Sequence, residues 1–250
     1  MIVLHVRTGQ AAGHLDEHAR SVWFGKLDAR AKILGIFAFV IAAALLTDPV
    51  LVMCALACAL VTALLSRLPP RHLAKAYLAA LPFLAFASFS VFLFAGFERG
   101  ISMLARTSAC VIALLVLATG TDTFELFSGL RRLRVPGILT TLLMLTHRYL
   151  LLLSEELDRM RTARRARGFS GGRSLLDVQA FRVLSNTAGM LLVRSSGRAD
   201  RIFEALKMRG FSKDMRPWRE TRIAALDAAF MLALVAIAAS LLLLQMEVFP

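Results

Sequence analysis

Residues 77–97 read YLAALPFLAFASFSVFLFAGF, a run of 21 positions without one charged side chain. As a helix it is long enough to cross the hydrocarbon core of a bilayer, which takes about 20 apolar residues. The run has neighbours of the same kind. Before Arg67-Leu68-Pro69-Pro70-Arg71 lie the apolar segments 31–47 and 50–66, parted by Asp48-Pro49. After Glu98-Arg99-Gly100 comes a fourth segment, 101–119. Residues 31–119 carry only eight charged side chains: Lys32, Asp48, Arg67, Arg71, Lys75, Glu98, Arg99 and Arg106. A fifth run, 223–244, follows more than a hundred residues later, with Asp227 near its start.

The whole chain has 250 residues, 58% of them hydrophobic, and its mean hydropathy is +0.66. It also has 30 Lys+Arg against 17 Asp+Glu, a formal net charge of +13. A soluble domain is nearer 45–50% apolar with about a quarter of its residues charged. High apolarity and high charge coexist only if they are segregated along the chain. Residues 120–222 hold 20 Lys+Arg and 10 Asp+Glu, so most of the positive charge sits there. This pattern excludes a disordered chain, which is low in hydrophobicity. Three cysteines exclude a disulfide scaffold.

The fold expected is an all-α integral membrane protein with about five transmembrane helices and a cytoplasmic helical domain inserted before the last span. Residues 1–30 form an N-terminal cytoplasmic segment, 31–119 four spans, 120–222 the basic insertion, 223–244 the last span and 245–250 a short outer tail. Basic residues favour the cytoplasmic side of a membrane. The leading segment to Lys32, the loop with Arg67, Arg71 and Lys75, and the insertion are the basic connections. All of them fall on one side if the N-terminus is cytoplasmic. His14, Asp16, Glu17 and His18 stand where a signal peptide would need an apolar region. Two runs complicate the count. Residues 138–153 are apolar but contain His147 and Arg148, and are expected as a helix at the interface, packed on protein. Residues 181–193, with Asn186, are short for a span and are expected as a buried helix of the insertion.

The insertion contains a repeat. Residues 158–170 read DRMRTARRARGFS and residues 200–212 read DRIFEALKMRGFS, at an offset of 42. Asp158/Asp200, Arg159/Arg201, Ala163/Ala205, Arg167/Arg209, Gly168/Gly210, Phe169/Phe211 and Ser170/Ser212 are identical. Leu157, Met160, Ala163 and Arg167 fall on one helical stripe, as do Ala199, Ile202, Ala205 and Arg209. Each glycine then stands where a left-handed residue stops a helix. One such arginine would be explained by the helix dipole alone. Two, on matched helix tips, suit two identical acceptor grooves, and hence a symmetric dimeric partner.

Ala166-Arg167-Gly168 and Met208-Arg209-Gly210, at the ends of charged helices, resemble the paired signature of the CbiQ/EcfT family. That family is the transmembrane component of energy-coupling factor ABC transporters. Lys26-Leu27-Asp28-Ala29-Arg30-Ala31-Lys32 resembles its leading segment. Leu145-Thr146-His147-Arg148-Tyr149-Leu150, running into Glu155-Glu156-Leu157-Asp158-Arg159-Met160, resembles its cobalt/nickel branch. Met208 stands where the family usually has a small residue. The resemblance implies a multi-pass protein of the bacterial cytoplasmic membrane that joins a substrate-capture membrane protein to two cytoplasmic ABC-type ATPases. Arg167 and Arg209 would dock the ATPases, supported by Asp158, Arg159, Asp200 and Arg201. ATP would be bound on the partners, with no cofactor, metal or catalytic residue on this chain. The cargo implied is cobalt or nickel; a vitamin importer or a self-sufficient secondary transporter are the alternatives.

The other candidates are weaker. No phosphate-binding GxxxxGK[ST] loop occurs; residues 168–174, GFSGGRS, lack its lysine and spacing. His14 and His18 have helical metal-ligand spacing but lack further ligands, and a solvated segment is the favoured reading. Cys54, Cys58 and Cys110 read as packing residues. Phe83, Phe86, Phe89, Phe92, Phe94 and Phe97 crowd one segment, facing a membrane partner or lipid. A pI near 11.1 suggests nucleic acid, but no binding motif accompanies it.

Overall fold

The computed structural model describes residues 27–66, 68–168, 178–210 and 225–248. Among these residues every element is a helix: α1 Ala29–Leu45, α2 Pro49–Leu65, α3 Pro70–Ala95, α4 Phe97–Gly120, α5 Thr123–Arg132, α6 Gly137–Ala166, α7 Val178–Met208 and α8 Ala225–Val248. The chain divides into two compact units. One holds α1–α5 and α8; the other holds α6 and α7.

In the first unit the helices approach closely because small residues line their contacts, as packing in lipid favours. Val52, Ala55 and Ala59 of α2 are buried, as are Ala105, Ala109, Ala113 and Val116 of α4, and the two helices pack together. Gly35 of α1 lies against α8, where a Cβ would come within 3.1 Å of Leu234 Cδ1. The α3–α4 hairpin turns at Gly96, whose φ of +94° is easiest for glycine. Ser88 Oγ then donates to the Gly100 carbonyl at 2.6 Å.

Helices α1 and α8 run parallel and are fastened at both ends. The Asp28 backbone N–H donates to Asp227 Oδ1 at their starts. At their far ends Thr47 N–H donates to Gln245 Oε1, and Gln245 Nε2 donates to Thr47 Oγ1 and the Leu45 carbonyl. Gln245 thereby satisfies groups that the end of α1 leaves without intrahelical partners.

The five apolar segments all become helices; α3 and α4 begin earlier than their apolar runs, while α1 and α2 are shifted by one or two residues at unchanged length. Pro70–Phe94, Phe97–Gly120 and Ala225–Met246 are long and apolar enough to cross a membrane. α1 and α2 have 17 residues each, at the short end for a span. Arg71 and Lys75 belong to α3 and Glu98 and Arg99 to α4, because polar helix ends can continue into the interfacial zone. Asp227, in the first turn of α8, is buried against its neighbours, 4% exposed. The phenylalanines of α3 point outward, Phe83 and Phe86 each 76% exposed.

Two expectations for the insertion need correction. Residues 138–153 and 181–193 do form helices, within α6 and α7, and Thr140 and Thr187 are buried there, but most of their large apolar side chains are not covered by protein. Ile138, Leu142 and Leu150, and Phe181, Leu184 and Leu192, are all exposed. The physical reason is that α6 and α7 touch each other over a short stretch only, so neither covers the other's apolar residues. α6 is also long and apolar enough to cross a membrane.

Candidate functional site: two matched helix tips

α6 and α7 end in the same way. In α6 the Arg167 N–H donates to the carbonyls of Ala163 and Arg164, and the Gly168 N–H to Arg165. In α7 the Arg209 N–H donates to Ala205, and the Gly210 N–H to Lys207. Gly168 and Gly210 take φ of +83° and +66°, the left-handed stop expected from their position. Arg167 and Arg209 are therefore the last residues before each stop, and both are exposed. Ala166 is exposed, and Met208 projects almost fully from its tip. Phe169, Ser170, Phe211 and Ser212 lie outside the described residues, as do His14, His18, Lys26 and the Gly171-Gly172 pair.

A Cβ at Gly168 or Gly210 would meet nothing within 4 Å, so any penalty for substitution lies in the backbone alone. Replacing both glycines with valine forces an unfavourable left-handed conformation, at about 1–2 kcal/mol each. The tips would turn and re-aim their arginines. Replacement with asparagine, which tolerates this conformation, should be much milder. Thus G168V/G210V should change the distance between spin labels placed on the two tips and G168N/G210N should not; equal effects would disprove the backbone reading.

The paired Asp and Arg residues differ in surroundings. Asp158 pairs with Arg161 at 3.2 Å. The position matching Arg161 is Phe203, so Asp200 cannot repeat that pairing. Arg159, Asp200 and Arg201 are exposed.

What joins the two helices is a residue that motif reading passed over. Glu156 accepts from Arg194 Nη1 and from Arg198 Nη2, both at 2.8 Å. Glu156 lies beyond the apolar part of α6, and the two guanidiniums hold its carboxyl below the usual carboxylate range. Glu156 and Arg198 are themselves 42 residues apart, the offset of the repeat. One of the two pairs thus joins equivalent positions of the repeat, while the other, to Arg194, lies one turn away. Eleven residues separate Glu156 from Arg167 and Arg198 from Arg209. At 1.5 Å per residue, each tip stands about 16 Å along its helix from the ion pair. The offset also carries 138–153 onto 180–195, covering the apolar run 181–193. The pair thus has two largely apolar arms before the crossing and two charged arms beyond it, the first strongly basic and the second nearly balanced, each ending in Arg-Gly.

Elsewhere, an open apolar cavity of about 500 Å³ lies between α2, α3 and α4, lined by Met53, Leu56, Leu60, Leu104 and the hydrogen-bonded Tyr77 and Ser108. Among the described residues no three His, Cys, Asp or Glu side chains stand together to hold a metal ion.

Long apolar helices in one unit and a duplicated, arginine-tipped helix pair in the other define a multi-pass all-α membrane protein. The family model described as CbiQ, cobalt transport protein, matches residues 20–218, and the chain belongs to that family. It is similar to the cobalt transport protein CbiQ of Rhodobacter capsulatus, 36% identical over 122 residues, 48% of each chain. It is also similar to an uncharacterized protein of Methanocaldococcus jannaschii, 31% identical over 108 residues, 43% of this chain and 38% of that one. The chain thus spans about half the length, or less, of these curated relatives.

Proposed function

We propose that this chain is the coupling subunit of an energy-coupling factor importer for cobalt or nickel ions. Its two arginine-tipped arms dock two cytoplasmic ABC-type ATPases through Arg167 and Arg209. Its membrane helices and apolar arms carry a substrate-capture membrane protein. ATP-driven closure of the ATPase pair moves the two tips, and the crossing at Glu156 passes that motion to the apolar arms. The observation that carries this reading is the matched pair of arginine tips, equidistant from an ion pair at equivalent positions. A duplicated element suits a two-fold partner. Membership of the cobalt transport family supports the cargo.

The parallel run of α1 and α8 supports a cytoplasmic helix pair. If both span, an odd number of spans separates them, and α2, α3 and α4 supply three. A crossing by α6 alone would reverse α8, against the contacts at both its ends. The excess of Lys+Arg in residues 120–222 supports a cytoplasmic location for this side and for the N-terminus.

Co-expression with ATPases and a capture protein from the same genome tests the reading. The purified complex should hold two ATPase copies per chain. Reconstituted vesicles should accumulate cobalt or nickel only when ATP is supplied on the ATPase side. Isolation of this chain without any ATPase, or uptake independent of ATP, would rule it out.

A further inference from the structure

Lys32 lies in the first turn of α1 and is 0% exposed. A buried ammonium persists only with compensating charge. Three carboxylates act on it: Glu125 at the start of α5, Asp227 in the first turn of α8, and Asp28, the N-cap of α1. Asp28 has a further set of attachments. Its side chain accepts from the Arg30 N–H, its own N–H donates to Asp227, and its second carboxylate oxygen pairs with Arg132 at 3.7 Å. Between Glu125 and Arg132 the face of α5 presses on α1. At Gly129 a Cβ would come within 3.0 Å of Ala29 Cβ. One turn of α1 therefore grips both ends of α5 and the beginning of α8.

The position of this cluster in the chain matters. The polypeptide leaves the membrane unit for the helix pair after Arg134 and returns at 219. Arg132 is the last residue of α5 before that departure, and Asp227 stands in the first turn of the helix that follows the return. The end of α5 before the departure and the start of α8 after the return are both held beside Lys32.

We propose that Lys32, with Asp28, Arg132 and Asp227, is a positioning cluster that locks the end of α5 to the starts of α1 and α8, so that the membrane unit turns as one body when the coupling helices move. This rests on the coupling function above. None of these residues belongs to the arginine tips, so loss of the cluster separates ATP hydrolysis from transport. With these helix ends unlocked, the ATPases still close on the tips, but the motion is absorbed between the helices of the membrane unit.

The test uses the complete transporter, with its ATPases and capture protein, in proteoliposomes, and reads ions accumulated per ATP hydrolysed. Lys32→Met should retain the ATPases and their hydrolysis while lowering that ratio roughly tenfold, within the range of mutations that alter coupling between sites. The reversed pair K32D/D227K should recover much of the ratio, which a packing defect alone would not do. Arg132→Gln removes a less buried partner and should lower the ratio with assembly intact. It decides the matter if Lys32→Met does not assemble. An unchanged ratio in Arg132→Gln, or in an assembled Lys32→Met transporter, overturns the proposal. Failure of the unaltered chain to retain ATPases overturns the coupling function instead.

Discussion

Charge reversal at both tips, R167E with R209E, is expected to abolish co-purification of the ATPases. The chain itself should still insert in the membrane at its normal level. Both side chains are exposed, and exposed substitutions usually change stability by less than about 0.5 kcal/mol. The interface is where the energy is lost. Truncating one partner of a hydrogen-bonded charge pair costs about 2–5 kcal/mol in binding. Reversal adds repulsion against an acceptor groove. Because the tips sit on one rigid pair, binding at one raises the effective concentration at the other. Each single variant should therefore bind measurably more weakly, and the double variant should fall below detection. A complex that survives the double reversal in detergent would remove these arginines from the docking role.

The second large effect is expected at Glu156. Exposed ion pairs contribute about 0.2–1 kcal/mol each, so Glu156→Gln should cause only a modest loss. Glu156→Lys differs in kind, because it sets three cations where two guanidiniums shared one carboxylate. The crossing should open and the spacing of the tips should change. ATPase capture should then drop by roughly tenfold, about 1.4 kcal/mol. Spin labels placed on the two tips would report the spacing directly. An unaltered spacing in Glu156→Lys would show that the ion pair does not hold the crossing.

This clip also has a defined response to acid. The native pKa of Glu156 is lowered, so its contribution is complete above the ordinary carboxylate range. It is lost only as pH falls through the lowered value. Cytoplasmic pH should leave it closed. High salt should weaken it, since about 1 M salt screens exposed charges beyond roughly 3 Å.

Much of this was readable from residue order. Apolar runs parted by Asp48-Pro49, Pro69-Pro70 and Glu98-Arg99-Gly100 mark helix boundaries, because charge, proline and glycine act locally on the backbone. The left-handed stops at Gly168 and Gly210 were equally legible, since the need for glycine there is a property of one residue. The surroundings of 138–153 and 181–193 were not. Their apolar runs suggested burial, yet whether an apolar face is covered depends on which helix lies beside it.

Glu156 shows the limit most clearly. Nothing in its neighbourhood distinguishes it from Glu155, and its pairing with Arg194 and Arg198 exists only across the crossing. One signal was present, the 42-residue offset to Arg198, but it gains meaning only once equivalent positions are seen to touch. The same holds for Lys32, Asp28 and Asp227, which are 199 residues apart in the last pair. By itself, the sequence determined the helices, the basic insertion and the two arginine tips, because propensity, patterning and capping act over a few residues. Tertiary structure alone decided the parallel α1 and α8, the buried charges beside Lys32 and the crossing at Glu156. Such contacts join residues far apart in the chain, and their chemistry is fixed by what packing brings within reach.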